Sequence, residues 1–432
     1  MSSKRGGLDM NMPIALLAVT VRVRRLLLFV VAAFGVMATS FACAAGVSDA
    51  VRVAPPLASR CATTPLVDAQ FRDAALVALD PLIVNAPGGD AHGAVRSHQS
   101  AGFVDASGQA WQQVSAYVAN LGLIGVLRIS SAKLPAVGDW LRWQARHMAL
   151  TGPTRGVVLD HWLRAGDLQQ STCPAGIKAA LCNHVDAYDS TASSLLILAQ
   201  AYSHYGGEAA LLRERELRAA LEAAVSVLDE LSRPDGLTLA KPDHPVAYLM
   251  DAVETAAGWR AWAQLQRDVY GADAASVAAT LAKAGRVDAA IQSKLWDSKA
   301  RQWRVHVGAG PANNAIWYPD TVAQAWPMLW SGTVDAASFE RMRQAWRDAA
   351  KPWRGGYDWA SRNVDPDGFW WPAAAVAAQC VGEELSARAW VARARERWLQ
   401  PAKPFAWPFQ VSDLLWLLWL AEPSLALRVA SP

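Results

Sequence analysis

Two carboxylates lie in the segment Tyr248-Leu249-Met250-Asp251-Ala252-Val253-Glu254-Thr255, where burial would make them costly. The stretch is otherwise apolar and patterned as a helix over 245–269, with Asp251 and Glu254 one to two turns inside it, so capping does not account for them. Tyr248, Asp251 and Thr255 recur at i, i+3 and i+7 and therefore share a face. A buried carboxylate must be paired, hydrogen-bonded or protonated, and the protonated form is what a general acid needs. Further acids and rings gather just ahead of other uncharged segments. Asp186, Tyr188 and Asp189 precede one of them, and Lys241, Asp243 and His244 precede 245–269 itself. Trp317, Tyr318 and Asp320 open a third, Asp365, Asp367, Phe369, Trp370 and Trp371 a fourth, and Trp407, Phe409 and Asp413 a fifth. Taken singly, each Asp reads as an ordinary helix cap worth about 0.5–2 kcal/mol. Taken together with the rings, they read as a cleft in which two carboxyls act as acid and base across a glycosidic bond.

The elements that must hold these residues alternate in kind. Six segments, about 65–80, 134–150, 208–232, 272–297, 335–350 and 384–398, carry an apolar stripe with charges around the rest, the pattern of a helix with one face in water. Between them run 109–129, 189–205, 245–269, 319–332, 371–382 and 410–420, which are largely apolar all round and hence buried all round. A hairpin is expected at 300–308. Consecutive helices on short loops pack antiparallel, so twelve alternating helices predict an all-α (α/α)6 toroid of six helical hairpins, with one small β-hairpin insertion. An α-solenoid would need a fixed repeat, and none is present. In a toroid the inner helices all run one way, so the residues just ahead of them line one rim.

Three phrases, Asp186-Ala187-Tyr188-Asp189-Ser190, Tyr248-Leu249-Met250-Asp251-Ala252-Val253-Glu254 and Trp317-Tyr318-Pro319-Asp320, resemble signature segments of bacterial six-hairpin glycosidase-like proteins, a likeness spanning most of 60–420. Asp186-x-x-Asp189 ahead of an Ala/Leu-rich helix is also similar to the base-bearing segment of family 8 endoglucanases. Those enzymes carry a Ser-Glu-Gly-x-Gly-Tyr acid motif, and residues 95–125 hold no Glu. The resemblance implies a glycoside hydrolase with Asp189 as base, Asp251 or Glu254 as proton donor, and Asp320 and Asp186 orienting substrate or water. Tyr188, Lys241, His244, Tyr248, Trp317, Tyr318, Trp370, Trp371 and Trp407 would then contact a polysaccharide or oligosaccharide. The missing glutamate leaves two other readings open: a non-catalytic carbohydrate-binding or polysaccharide-export accessory protein, and a lyase using a Tyr or His base.

Residues 1–45 have the layout of a signal peptide, with Arg22, Arg24 and Arg25, an apolar run from Leu26 to Val36, and Ala42-Cys43-Ala44 as cleavage site. A single domain is expected over 46–432, monomeric, secreted or periplasmic, with no stable membrane span after cleavage. An oxidising compartment makes disulfides possible. Cys61, Cys173, Cys182 and Cys380 remain after cleavage and allow three connectivities; Cys173 and Cys182, bracketing a short loop, are the preferred pair, and Cys380, in an apolar helix, also reads as a buried thiol. A net charge of +3 with interspersed signs gives no nucleic-acid footprint. Asn363-x-Asp365-x-Asp367-Gly368 imitates half of a calcium loop but lacks the closing Glu, Ala374 standing there. No metal and no cofactor is expected.

Overall fold

The computed structural model describes residues 61, 64–331, 334–353, 365 and 368–423. Residues 1–51, and with them the signal-peptide reading, lie outside the described residues, as do Asn363 and Asp367. Everything below concerns the unit Arg52–Pro432.

Twelve α-helices of five or more residues alternate along the described chain. Six are outer: α1 (Ala69–Ala78), α3 (Leu134–His147), α5 (Arg215–Leu231), α7 (Ala274–Ala290), α9 (Ala336–Ala350) and α11 (Glu384–Trp398). Six are inner: α2 (Ala116–Ile129), α4 (Tyr188–His204), α6 (Leu249–Asp268), α8 (Trp326–Trp330), α10 (Pro372–Cys380) and α12 (Asp413–Ala421). Three of the outer helices, α1, α7 and α9, begin on capping aspartates. Asp68, Asp273 and Asp335 each accept a hydrogen bond from the backbone N–H three residues on, satisfying a donor the helix leaves open. In α5, Leu217, Leu221, Leu228 and Leu231 form the buried stripe. In α12 every residue from Leu414 to Ala421 is buried, because neighbours surround it.

Each inner helix packs on the next, α2 on α4, α4 on α6, α6 on α8, α8 on α10 and α10 on α12, and α12 returns to α2. That contact closes the ring. It depends on glycine: a Cβ at Gly122 would lie 2.1 Å from the Val411 carbonyl oxygen, and one at Gly125 would lie 2.5 Å from the Leu415 Cα. Gly258 of α6 meets Ser193 of α4 in the same way, at 2.8 Å. The outer helices lean on this ring, α1 on α12, α7 on α6 and α11 on α10. The architecture is the expected (α/α)6 toroid.

The local departures have physical causes. Residues 110–114 are a strand, not the start of the second helix, because they pair antiparallel with 161–164. This strand, β2 (Ala110–Val114), belongs to an antiparallel sheet in the order β1 (Phe103–Val104), β2, β3 (His161–Arg164), β4 (Gln170–Ser171). The sheet is fastened to the chain ahead of α12 through Ser97, which donates its N–H to the Gln113 carbonyl and accepts the Val411 N–H on its own carbonyl. Asp160, just before β3, donates its N–H to the His184 carbonyl and ties the sheet to the chain ahead of α4. The expected hairpin falls at β5 (Trp296–Asp297) and β6 (Gln302–Trp303), a few residues earlier than 300–308. The eighth helix is shorter than 319–332. A turn at Trp317–Thr321 with Tyr318 extended precedes it, and the Tyr318–Pro319 and Trp407–Pro408 peptides are cis.

Cys173 and Cys182 are bonded as expected, and Cys380 is not a free thiol but pairs with Cys61. The second bond spans 319 residues and anchors the chain ahead of α1 to the end of α10. A loop that long restricts the unfolded chain strongly, so Cys61→Ser/Cys380→Ser should cost about 4 kcal/mol. Urea unfolding of the double variant should show an earlier midpoint than that of the wild type.

Candidate active site

Asp251 lies in the first turn of α6, since the helix begins at Leu249 rather than 245. The positive helix end faces it there, a contribution the sequence reading placed out of reach. Glu254, one turn further in, is 2% exposed, and its Oε1 accepts two hydrogen bonds, from the Tyr117 hydroxyl of α2 at 2.9 Å and from the Trp326 Nε1 of α8 at 2.8 Å. One carboxylate thus joins three inner helices across the ring. Its Oε2 is buried without a hydrogen-bond partner among the described residues.

Asp189, at the start of α4, is 0% exposed. Its Oδ1 accepts the Ser190 N–H at 2.9 Å and its Oδ2 the Thr238 hydroxyl at 2.6 Å, and Thr238 in turn meets the Thr255 hydroxyl at 3.1 Å. Fully enclosed, with both oxygens engaged, Asp189 cannot touch a sugar or a water in the cleft in this conformation. The base role the resemblance implied for it therefore lacks geometric support.

These three carboxyls disturb one another. Burial drives all three upward: Asp251 well above the usual carboxylate range, Glu254 up to about 7, and Asp189 in the same direction. The charges of Asp189 and Asp186 add to the shift of Asp251, Asp251 adds to that of Glu254, and Glu254 to that of Asp189. Hydrogen bonds oppose it, from Trp326 and Tyr117 at Glu254, and from Thr238 and the Ser190 backbone at Asp189. Each of the three thus disfavours ionisation of another. Tyr117 and Tyr318 are pushed upward too, burial first and these acids next.

A consequence for stability follows from Glu254. An acid whose folded pKa is raised stabilises the fold fully below its unfolded value, and that contribution fades as pH climbs to the folded one. For Glu254 the window runs from 4.5 to about 7, worth on the order of 3 kcal/mol. Glu254→Gln keeps an Oε1 acceptor for Tyr117 and Trp326. Urea unfolding at pH 4.5 and pH 8 should show the variant losing less stability between the two than the wild type does.

Rings line the approach. Tyr318, 38% exposed, stacks on Trp371 with centroids 5.0 Å apart, and Trp371 meets Trp326 edge-on at 6.0 Å. Trp371 sits at φ 49, a left-handed backbone that a bulky residue adopts only when its surroundings impose it. Its Nε1 donates to Asp365 Oδ2 at 2.6 Å. Beyond it Phe369 reaches Trp407, which is 39% exposed and lies edge-on to His98 at 5.4 Å. On the other side Tyr248 shares a hydrogen bond with His244 at 2.8 Å and meets His306 edge-on. Asp186 is exposed at this rim, and its charge acts on Asp251, Tyr248 and Tyr318.

Of the residues singled out in the sequence, Asp186, Asp189, Tyr248, His244, Asp251, Glu254, Tyr318, Trp371 and Trp407 converge. Others serve the scaffold. Asp320 accepts the Asn313 N–H and closes its own loop, Trp317 is buried against Trp353, and Trp370 packs on Trp398 of the outer helix α11. Lys241 donates to the Val185 carbonyl at 3.3 Å, Tyr188 donates its N–H to Ala240, Asp413 caps the Gln410 N–H, and Phe409 is core. Tyr117 and Trp326 were missed as ligands of Glu254. The available signal was that each stands at the start of an uncharged helix. Among the described residues no three His, Cys, Asp or Glu side chains gather to hold a metal ion, and no helix is long and apolar enough to cross a membrane.

No family model matches this sequence, and no curated protein does. Among solved structures the chain is similar to a reducing-end xylose-releasing exo-oligoxylanase, 13% identical over 84% of this chain and 94% of that one, with a TM-score of 0.47. A glycosidase variant in complex with glucose matches at 12% identity, covering 84% of this chain and 100% of that chain, with a TM-score of 0.48. An alpha-amylase from Clostridium perfringens matches at 10%, over 81% and 96%, with a TM-score of 0.46. At such identities a likeness concerns chain path, and function has to be argued from the site itself.

Proposed function

We propose that this protein is a glycoside hydrolase acting on an oligosaccharide or polysaccharide, with Asp251 as proton donor and Asp186 as the carboxylate that serves as base. The observation that carries the reading is the cluster Asp189, Asp251 and Glu254 at one end of the inner ring, with raised pKa values, beneath an open approach walled by Tyr318, Trp371, Tyr248 and Trp407. Asp251 alone of the three reaches the cleft surface, being half-buried where the other two are enclosed. A donor must keep its proton until the glycosidic oxygen arrives and release it there. Asp189 and Glu254 stand behind it, Asp189 reaching Thr255 of α6 through Thr238 and Glu254 joining α6 to α2 and α8. Asp186 stands exposed at the same rim and is within electrostatic reach of Asp251. The exposed faces of Tyr318 and Trp407 suit stacking on sugar rings.

Export to an oxidising compartment, with residues 46–432 as a single domain acting as a monomer, is part of the proposal. Two disulfides support the compartment. A panel of plant and bacterial polysaccharides, followed by detection of new reducing ends, tests the activity. Release from at least one member is the expected result. Calorimetric binding of an oligosaccharide with no ends released from any of them selects the non-catalytic reading, and release of unsaturated ends selects the lyase.

A further inference from the structure

Behind Asp186 lies a polar chain that the reaction as described does not use. Asp160, 5% exposed, is buried beneath the sheet. Its Oδ2 accepts the Gln113 Nε2 of β2 at 3.0 Å and lies 3.3 Å from the Nδ1 of His184. The Asp160 N–H also binds the His184 carbonyl at 2.7 Å, so the two residues are joined through backbone and side chain. With Nδ1–H committed to Asp160, the proton that can come and go sits on Nε2. The titratable groups acting on His184 are Asp160, Asp186 and Lys241. Its pKa is raised, first by the hydrogen bond to Asp160 against the opposing effect of burial, with Asp186 adding and Lys241 subtracting.

The backbone that carries His184 and Asp186 is fixed. The Cys173–Cys182 disulfide closes the preceding loop. Asn183, at φ 50, donates its N–H to the Thr172 carbonyl at 2.8 Å and accepts the Thr172 hydroxyl at 2.6 Å. Lys241 holds the Val185 carbonyl. The His184 imidazole is thus anchored to an enclosed carboxylate two residues ahead of the exposed Asp186 at the cleft.

We propose that Asp160 and His184 form a positioning pair that places a positive charge beside Asp186 and fixes its orientation at the cleft. The proposal rests on the reading that Asp186 is the base. It is tested by the pH dependence of kcat/KM, with kcat and KM separated, for Asp160→Asn, His184→Gln and His184→Asn. The alkaline limb in the wild type carries the loss of protons from both His184 and Asp251. Asp160→Asn should move that limb down by about one pH unit, since His184 loses its anionic partner. His184→Gln and His184→Asn should each lower kcat roughly tenfold with KM within about twofold. His184→Asn retains a donor toward Asp160 and should keep the wild-type Tm. An unmoved limb in Asp160→Asn, or wild-type kcat in the two His184 variants, overturns the proposal. So does a loss in His184→Asn that appears only as a lowered Tm. Asp186→Asn separates the failures. If it retains turnover, the assignment of Asp186 falls and the pair's role with it. If it is inactive while the other three variants behave as wild type, only the pair's role falls.

Discussion

Asp251→Asn should lower kcat/KM by about a thousandfold on any substrate the wild type cleaves, within the range that removal of a general acid brings. The amide has nearly the shape of the acid but no proton to give. Stability should be unchanged or raised, because the substitution removes a half-buried group whose ionised form is opposed by Asp189 and Asp186. That pairing of results distinguishes a working acid from a structural one. A scaffold carboxylate would cost stability when replaced, as the enclosed and fully hydrogen-bonded Asp189 should. Initial rates and thermal unfolding on the same preparation make the comparison.

Gly125→Leu should be the most damaging single change to the fold. The α2–α12 contact is the seam at which the ring closes, and a Cβ there would lie 2.5 Å from the Leu415 Cα and 2.8 Å from the Leu414 carbonyl oxygen. Backbone cannot move aside as the end of a side chain can, so the two helices must part. Overpacking of this kind costs about 3 kcal/mol or more. Parting α2 from α12 would also draw Tyr117 away from Glu254, so activity should fall with stability. Gly285→Ala in α7 is the control. It has open space around its Cβ and should gain about 0.5–1 kcal/mol from helix propensity. Denaturant midpoints for the two variants should therefore move in opposite directions.

The toroid was legible because its two kinds of helix differ in composition over whole segments. Ser190 to Tyr202 carries no charge, and Arg215 to Leu231 is charged on one side only. Such contrasts survive errors of a few residues at the ends. The four-stranded sheet was hidden because β1 and β4 are two residues each and its central pairing, β2 with β3, joins Trp111 to Arg164 far along the chain. Helix starts were uncertain by a few residues, and that mattered at Asp251, which proved to lie within the helix's positive end. Sequence spacing showed that Asp251 and Glu254 had to be held by something. It could not show that the holders were Tyr117 and Trp326, more than seventy residues away in either direction. Equally, Asp186 and Asp189 looked alike as residues ahead of one helix. Asp186 stands exposed in the chain ahead of α4, whereas Asp189 lies in its first turn, enclosed and engaged with Thr238. Cys380 read as a thiol because its partner sits 319 residues away in sequence.

Parallel calorimetry and reducing-end release on wild type and Asp251→Asn, using an oligosaccharide taken from the panel, would probe the assignment most directly. Both proteins should bind the sugar with similar Kd, while only the wild type generates new ends. Cleavage by the variant at the wild-type rate would contradict the account, because it would mean that the proton comes from elsewhere.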